Sequence, residues 1–259
     1  MKAKLVGIFL GVLVGSAAYS NSEYHDFMDV QGRSMRGRVL RYEARTNQVT
    51  IETDNKRTAT VPATVFDQEG QTYIMEWAKA QEFLDEGSFR IKAQRTKTDD
   101  DRSSSGGSIQ ATEVEDHAYE ITMENRSQIA IKGLKLEYCI FYEQDEVINH
   151  KQATEEGVKC GTLDIADMQP KSEQVLTTDA VKLYKRTLDA DWIYTSDIKN
   201  VQKGEVDGVW IRMTMVTDTG KTFMRDYCLP DSLNSSHAWT TTSTDVGMNK
   251  GSSKKKKKK

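Results

Sequence analysis

Four histidines, three cysteines, a run of three aspartates and a terminal block of six lysines are the residues of this sequence best equipped to do chemistry. Nucleophilic catalysis needs a base beside the nucleophile, and histidine is the usual one. The histidines are His25, His117, His150 and His237. His150 falls in an expected loop and His237 in an expected tail. His117 belongs to Glu115-Asp116-His117 at the start of an expected strand, where an exposed polar turn accounts for it. No Gly-x-Ser-x-Gly elbow and no His-Glu-x-x-His helix occurs. Asp99-Asp100-Asp101 offers clustered carboxylates of the kind that suit calcium. The stretch lacks the alternating acids, central glycine and closing glutamate of a dedicated loop, so a solvated loop is the plainer reading. Paired carboxylates of the glycosidase kind leave no mark in sequence. The sequence thus assigns no catalytic residue, no metal site and no cofactor.

Cys139, Cys160 and Cys228 follow a leader built like a secretory signal. Lys2 and Lys4 precede the apolar run Leu5–Gly15, and small residues follow it, with cleavage expected after Ala18 or after Ser20. The apolar run turns polar at Tyr19-Ser20-Asn21, short of the roughly 20 residues that a spanning helix needs. The expectation is therefore an exported protein, periplasmic or extracellular, with no transmembrane segment after cleavage. In an oxidising compartment three cysteines read as one disulfide and one free thiol. The run Lys132–Tyr142 reads as a strand and Val158–Ile165 as its return. A hairpin centred near Asn149-His150 would set Cys139 almost opposite Cys160. That pair is the favoured disulfide, worth about 3 kcal/mol on a loop-entropy model. Metal binding is the rival, but no two cysteines have ligand spacing.

The elements that must carry these residues are mostly strands. Residues 1–20 form the leader, and 24–86 read as a small barrel with a connecting helix. Residues 88–232 read as an Ig-like β-sandwich, and 233–259 as a disordered tail. In the first unit Met35–Tyr42 alternates, with Val39 facing opposite to Leu40, and Val49 and Ile51 share a face. Short, closely spaced strands suit a small barrel. From Gln71 to Leu84, Tyr73, Trp77, Ala80 and Leu84 form an apolar stripe at helical spacing, with Gly87 as the stop. That helix is expected to pack on the barrel or to bridge two domains. Strands are then expected at Ser88–Thr96, Tyr119–Met123, Leu134–Tyr142, Val158–Ile165, Val175–Thr178, Val209–Val216 and Thr222–Cys228. Thr98–Ser108 is a polar, Gly/Ser-rich loop, Asp218-Thr219-Gly220 is a hairpin turn, and Asp189–Lys199 has no assigned element. Alternating strands with no long helix read as a two-sheet sandwich.

Phe27, Asp29, Gly32-Arg33, Gly37, Val39, Val49-Thr50-Ile51, Asp54-Asn55-Lys56, Val61-Pro62, Val65-Phe66 and Gln71-Thr72-Tyr73-Ile74 occur in that order. Over residues 24–74 this pattern resembles the SLA-one homology domain, a small Src-homology-3-like barrel. That family is known from a yeast endocytic adaptor and from exported bacterial proteins. Two positions depart from it: the usual Asp-Gly turn is Asp-Asn, and Gly70 replaces the acid before Gln71. Asn tolerates positive φ. In the adaptor the domain binds Asn-Pro-Phe peptides, a ligand not expected outside the cytoplasm. What the resemblance implies here is the fold and a recognition module.

Charge separates the body from the tail. The formal charge of the whole chain is −3; without Lys2 and Lys4 it is about −5, and without the terminal lysines about −11. An acidic body does not suit specific nucleic-acid binding. Lys254, Lys255, Lys256, Lys257, Lys258 and Lys259 would attract an anionic surface with strong salt dependence, or serve only as a solubilising tail. The function expected from these readings is an exported, non-catalytic binding protein whose partner is a protein or an envelope polymer. The alternatives are an envelope structural protein anchored through its basic tail, and a hydrolase, for which no base–nucleophile set emerges.

Overall fold

Alternating apolar residues build the N-terminal unit. The chain forms β1 (His25–Met28), β2 (Ser34–Glu43), β3 (Gln48–Thr53) and β4 (Thr58–Pro62), each antiparallel to the next. The computed structural model describes residues 23–103, 110–148, 151–188 and 199–246. Phe27, Val39, Val49 and Ile51 are buried while Leu40 turns outward, as period-two facing requires. Gly37 is small for a local reason: a Cβ there would lie 2.5 Å from Ile51 Cγ2. The sheet curls into a half-barrel, bridged at one end by main-chain bonds from Val30 N to Val65 O and from Asp67 N to Met28 O. In the Asp54-Asn55-Lys56 turn the left-handed residue is Lys56, with φ 64°, and not Asn55. Asn55 serves the turn through its side chain, which accepts from Thr53 Oγ1 and Arg57 N.

Helix α1 (Gln68–Leu84) starts three residues earlier than the stripe suggested, because the Asp67 carboxylate caps it by accepting from Gly70 N at 2.9 Å. Its buried apolar positions are Ile74, Ala78, Ala80 and Phe83, whereas Tyr73, Trp77 and Leu84 of the expected stripe are only half-buried. The displacement arises because the helix serves two cores. Ile74 packs with Phe27, Val39, Val49, Ile51 and Phe66 of the half-barrel. Ala80 and Phe83 pack into the core of the following unit.

That unit is a two-sheet sandwich. Its strands are β5 (Phe89–Ser103), β6 (Gln110–Asn125), β7 (Leu134–Ile148), β8 (Lys151–Asp164), β9 (Glu173–Thr177), β10 (Val181–Leu188), β11 (Val201–Gln202), β12 (Gly204–Val216) and β13 (Thr222–Leu229). One sheet runs β11-β10-β6-β5 with β9 also on β6, and the other runs β13-β12-β7-β8. The hairpins β5–β6 and β7–β8 lie in different sheets, and β12–β13 returns beside β7, the crossing pattern of an Ig-like sandwich. Leu136, Tyr138, Ile140 and Tyr142 of β7 face Tyr119, Ile121 and Met123 of β6 across the core. Buried Gln144 ties the sheets together: its amide accepts from Tyr184 N and donates to Tyr184 O, both at 2.9 Å. A side chain here takes the place of a neighbouring strand, which satisfies buried polar groups that would otherwise be costly.

The half-barrel and the sandwich are clamped through α1. Buried Glu76 accepts from Thr219 N at 2.8 Å and from Thr219 Oγ1 at 2.6 Å, in the Asp218-Thr219-Gly220 turn. Arg225 donates to Phe83 O, at the helix C-terminus, at 2.8 Å and to Phe89 O, at the start of the next strand, at 2.7 Å.

Three expectations need correction. Residues 98–103 are not loop: β5 continues through Ser103, paired with β6 as far as Thr112. β5 is an edge strand, where polar residues are tolerated. β10 was not expected, because only Val181, Leu183 and Leu188 of its residues are buried. Residues 233–246 are not a disordered tail. Leu233 is buried at the start of the one-turn helix α2 (Leu233–Ser236). The chain then crosses the outer face of the second sheet, where Trp239 meets Trp210 edge-on at 5.9 Å and Arg212 stacks over Trp239 at 4.4 Å. It reaches the far edge, where Thr244 and Val158 exchange main-chain bonds. Of Asp189–Lys199, residues 189–198 lie outside the described residues.

Candidate functional site

Seven consecutive residues, Arg38 to Ala44, line one cavity of about 580 Å³. Neighbours along a strand point to opposite faces, so a space touched by all of them runs along the strand's edge. The opposite wall is Trp77, Ala78, Gln81 and Glu82 of α1, and Gln128 and Ile129, from the β6–β7 connection, close one end. The edge is open for a topological reason. β1 pairs only with Ser34–Gly37 of β2, whereas β3 follows β2 as far as Glu43. Among the described residues no strand lies against the other side of Leu40–Glu43. A register shift between Val39 and Arg41 bends the strand at this point.

The groove is polar and mixed in charge. Arg38 Nη2 pairs with Glu52 at 3.1 Å and Arg41 Nη2 with Glu43 at 3.3 Å. A hydrogen bond from Lys56, with others from Arg38 and Tyr24, holds the Glu52 carboxyl below the usual carboxylate range. Burial raises the Tyr42 phenol. Trp77 Nε1 and Arg38 Nε are buried donors with no acceptor among the described residues. Among the described residues the lining contains no histidine, cysteine or serine. This arrangement can hold a ligand by hydrogen bonds and ring contacts.

The residues singled out from the sequence lie elsewhere. Cys139 and Cys160 form the disulfide, directly opposite each other in the β7–β8 pair. The pair projects from the outer face of the second sheet, where Thr240 O lies 3.0 Å from Cys139 Sγ. Ser243 Oγ accepts from Cys160 N at 2.9 Å. Cys228 is a free, buried thiol pushed up to about 11, chiefly by burial. His117 is not in a turn at a strand entrance; it sits within β6, opposite Val181, with Nε2 3.1 Å from Glu115 Oε2. His237 stacks on Phe141 at 4.4 Å and lies 3.7 Å from Asp207. His25 stacks on Tyr73 at 3.9 Å, and burial lowers its pKa. No two histidines share a site among these contacts. Asp99-Asp100-Asp101 lies within strand β5 and not in a loop. Among the described residues no group of three His, Cys, Asp or Glu is placed to hold a metal. His150 and Lys254–Lys259 lie outside the described residues.

Sequence reasoning missed the groove because its walls come from positions 38–44, 77–82 and 128–129. No local spacing joins them, and Trp77 reads in isolation as one more core position.

No family model matches this chain, and no curated protein matches it. Several solved structures align with part of it, two of which follow. A Northeast Structural Genomics Consortium target is 15% identical, covers 55% of this chain and 86% of its own, and has a TM-score of 0.23. A Bordetella pertussis protein provisionally named ApaA is 8% identical, covers 54% of this chain and 92% of its own, and has a TM-score of 0.18. Similarities of this size carry no functional information.

Proposed function

We propose that this chain is an exported, non-catalytic recognition protein that holds an extended polypeptide segment in the groove between β2 and α1. The observation that carries the reading is the open side of Leu40–Glu43 facing Trp77 across a cavity. A peptide laid there can pair with main-chain groups of β2 as an added strand, the mode in which backbone bonds give affinity and side-chain pockets give selectivity. On this reading the half-barrel is an SLA-one-like recognition module, and the sandwich and clamp hold the α1 wall in place. Export is supported by the leader and by the disulfide. No helix among the described residues is long and apolar enough to cross a membrane.

The test is capture from the exported fraction by the immobilised mature protein. Three chains are compared: wild type, a Trp77→Ala/Arg41→Glu variant, and one lacking Lys254–Lys259. Specific capture lost in the groove variant and kept without the lysines supports the reading. Capture that follows the lysines and ignores the groove would replace it with tethering to an anionic surface.

A further inference from the structure

We propose that residues 233–246 are a gate on thiol chemistry, and that Cys160 is the sulfur an external thiolate attacks when the gate lifts. All three cysteines stand in one row: Cys160 on β8, Cys139 on β7 and Cys228 on β13, with Trp210 of β12 between the last two. Residues directly opposite in a sheet point to the same face, and this is the face that the segment crosses. Neighbouring strands lie about 4.8 Å apart, so Cys228 is about 10 Å from Cys139 along the row. Bridged cysteines have Cα atoms no more than about 7 Å apart. Trp210 therefore keeps the free thiol away from the disulfide. Burial, which pushes the Cys228 thiol up to about 11, also keeps it protonated. Exchange within the chain is closed by the sheet, and only a thiolate from outside can open the bond.

Such a thiolate must approach a sulfur along the S–S line, from the side opposite the bond, so access decides the rate. The bond joins two facing strands, and that line runs along the row. Beyond Cys139 it meets Trp210, which Trp239 holds edge-on. Beyond Cys160 it crosses the outer side of β8, where the segment stands in the way. Ser243 Oγ accepts from Cys160 N at 2.9 Å and donates to Cys160 O at 3.3 Å, and Thr244 pairs with Val158. Over the bond, Thr240 O lies 3.0 Å from Cys139 Sγ and 3.6 Å from Cys160 Sγ. Cys139 is fully buried and Cys160 only half-buried. The segment is fastened at single points, Trp239, Ser243 and Thr244 among them, and not by a ladder. It can thus open while the sheet beneath stays paired, and lifting residues 240–244 uncovers Cys160. The incoming sulfur bonds to Cys160 Sγ, the Cys139–Cys160 bond breaks, and its electron pair leaves with Cys139, which takes a proton from water. A second thiolate removes the outside sulfur as its own disulfide, and Cys160 leaves and is protonated in turn. Both thiols then face the Thr240 carbonyl as S–H donors, so the gate closes again over the reduced pair.

The test is the rate at which reduced glutathione opens the disulfide of the folded chain at pH 8, with and without sub-denaturing urea. Samples are stopped with acid and the first glutathione adduct is located by peptide mass. Trp239→Ala should react about thirtyfold faster than wild type, because losing that anchor raises the population of the lifted segment. Neither rate should change in low urea, and the first adduct should fall on Cys160. Should Trp239→Ala fail to fold, Thr244→Pro takes its place, because proline has no N–H to give Val158 O. Cys228→Ser should leave the rate unchanged. Equal rates in wild type and the segment variant overturn the proposal. So does a wild-type rate that climbs with urea in step with global unfolding, since reduction would then wait for the whole sheet. A first adduct on Cys139 would contradict the assignment of Cys160, and a slower reaction in Cys228→Ser would make the buried thiol the attacking group.

Discussion

The outer face of the second sheet and the open side of β2 are treated in opposite ways by the same chain. The sheet face carries a row of Cys160, Cys139, Trp210 and Cys228 across four strands, flanked by Phe141 and Val158. Residues 233–246 close over it, with Leu233 and Trp239 as anchors and the Thr244–Val158 pair as the fastening. The open side of β2 presents Arg38, Arg41 and Glu43 beside Trp77, and no described strand covers Leu40–Glu43. An apolar face left in water favours association with other apolar surfaces, so covering it removes one surface for such association. A mixed, hydrogen-bonding edge can stay open and still be selective. On the proposed reading the covered face serves stability and the groove serves recognition.

Perturbations of the covered face should cost stability and leave the groove intact. The largest effect is expected from replacing Cys139 and Cys160 together by alanine. Losing the cross-link should lower unfolding free energy by about 3 kcal/mol, read from denaturant melts. Trp239→Ala should cost about 2 kcal/mol, since it opens a cavity against Trp210 and removes the cation–π contact with Arg212. Glu76→Gln lies between the two regions. It keeps one acceptor for Thr219 but loses the charge-assisted pair, and a cost of about 1 kcal/mol is expected. Loosening of the half-barrel relative to the sandwich, read as faster exchange in α1, should accompany it.

The smallest effect concerns the acids at the far end of the same sheet. The Glu143 carboxyl is raised first by Asp207, then by desolvation and by Glu156, Glu205 and Asp145. Desolvation is the main cause of the raised Asp207 carboxyl, which His237 opposes. An acid whose folded pKa is raised takes up its proton more readily in the folded state than in the unfolded one. Stability should therefore rise as pH falls from neutrality through the folded pKa, and level off below the unfolded value. Glu143→Gln should raise Tm slightly at pH 7 and flatten its rise towards acid. A Tm that falls in this variant would contradict the assignment of repulsion at this site.

Much of the fold could be read directly from residue order. The period-two run Leu134–Tyr142 gives β7 its inward residues. The same facing placed the hairpin centre near Asn149-His150 and so paired Cys139 with Cys160. Val39, Val49 and Ile51 likewise marked the inside of the half-barrel. What escaped has physical reasons. The covering segment 233–246 has no period, because single anchors spaced along a Ser/Thr-rich chain hold it. Helix α1 hides its apolar surface by splitting it between two cores, so no single stripe describes it. The groove has no sequence signature because it arises where described pairing stops: β1 ends its pairing at Gly37 while β3 continues to Glu43.

Cross-linking from the two surfaces tests the assignment most directly. A photoreactive residue placed at Gln128, on the groove, is compared with one at Thr242, on the covering segment; both positions are exposed. Irradiation in the exported fraction should give a discrete partner adduct from Gln128, abolished by Trp77→Ala/Arg41→Glu, and none from Thr242. A partner trapped from Thr242 and never from Gln128 would contradict the account and move recognition to the surface assigned here to stability.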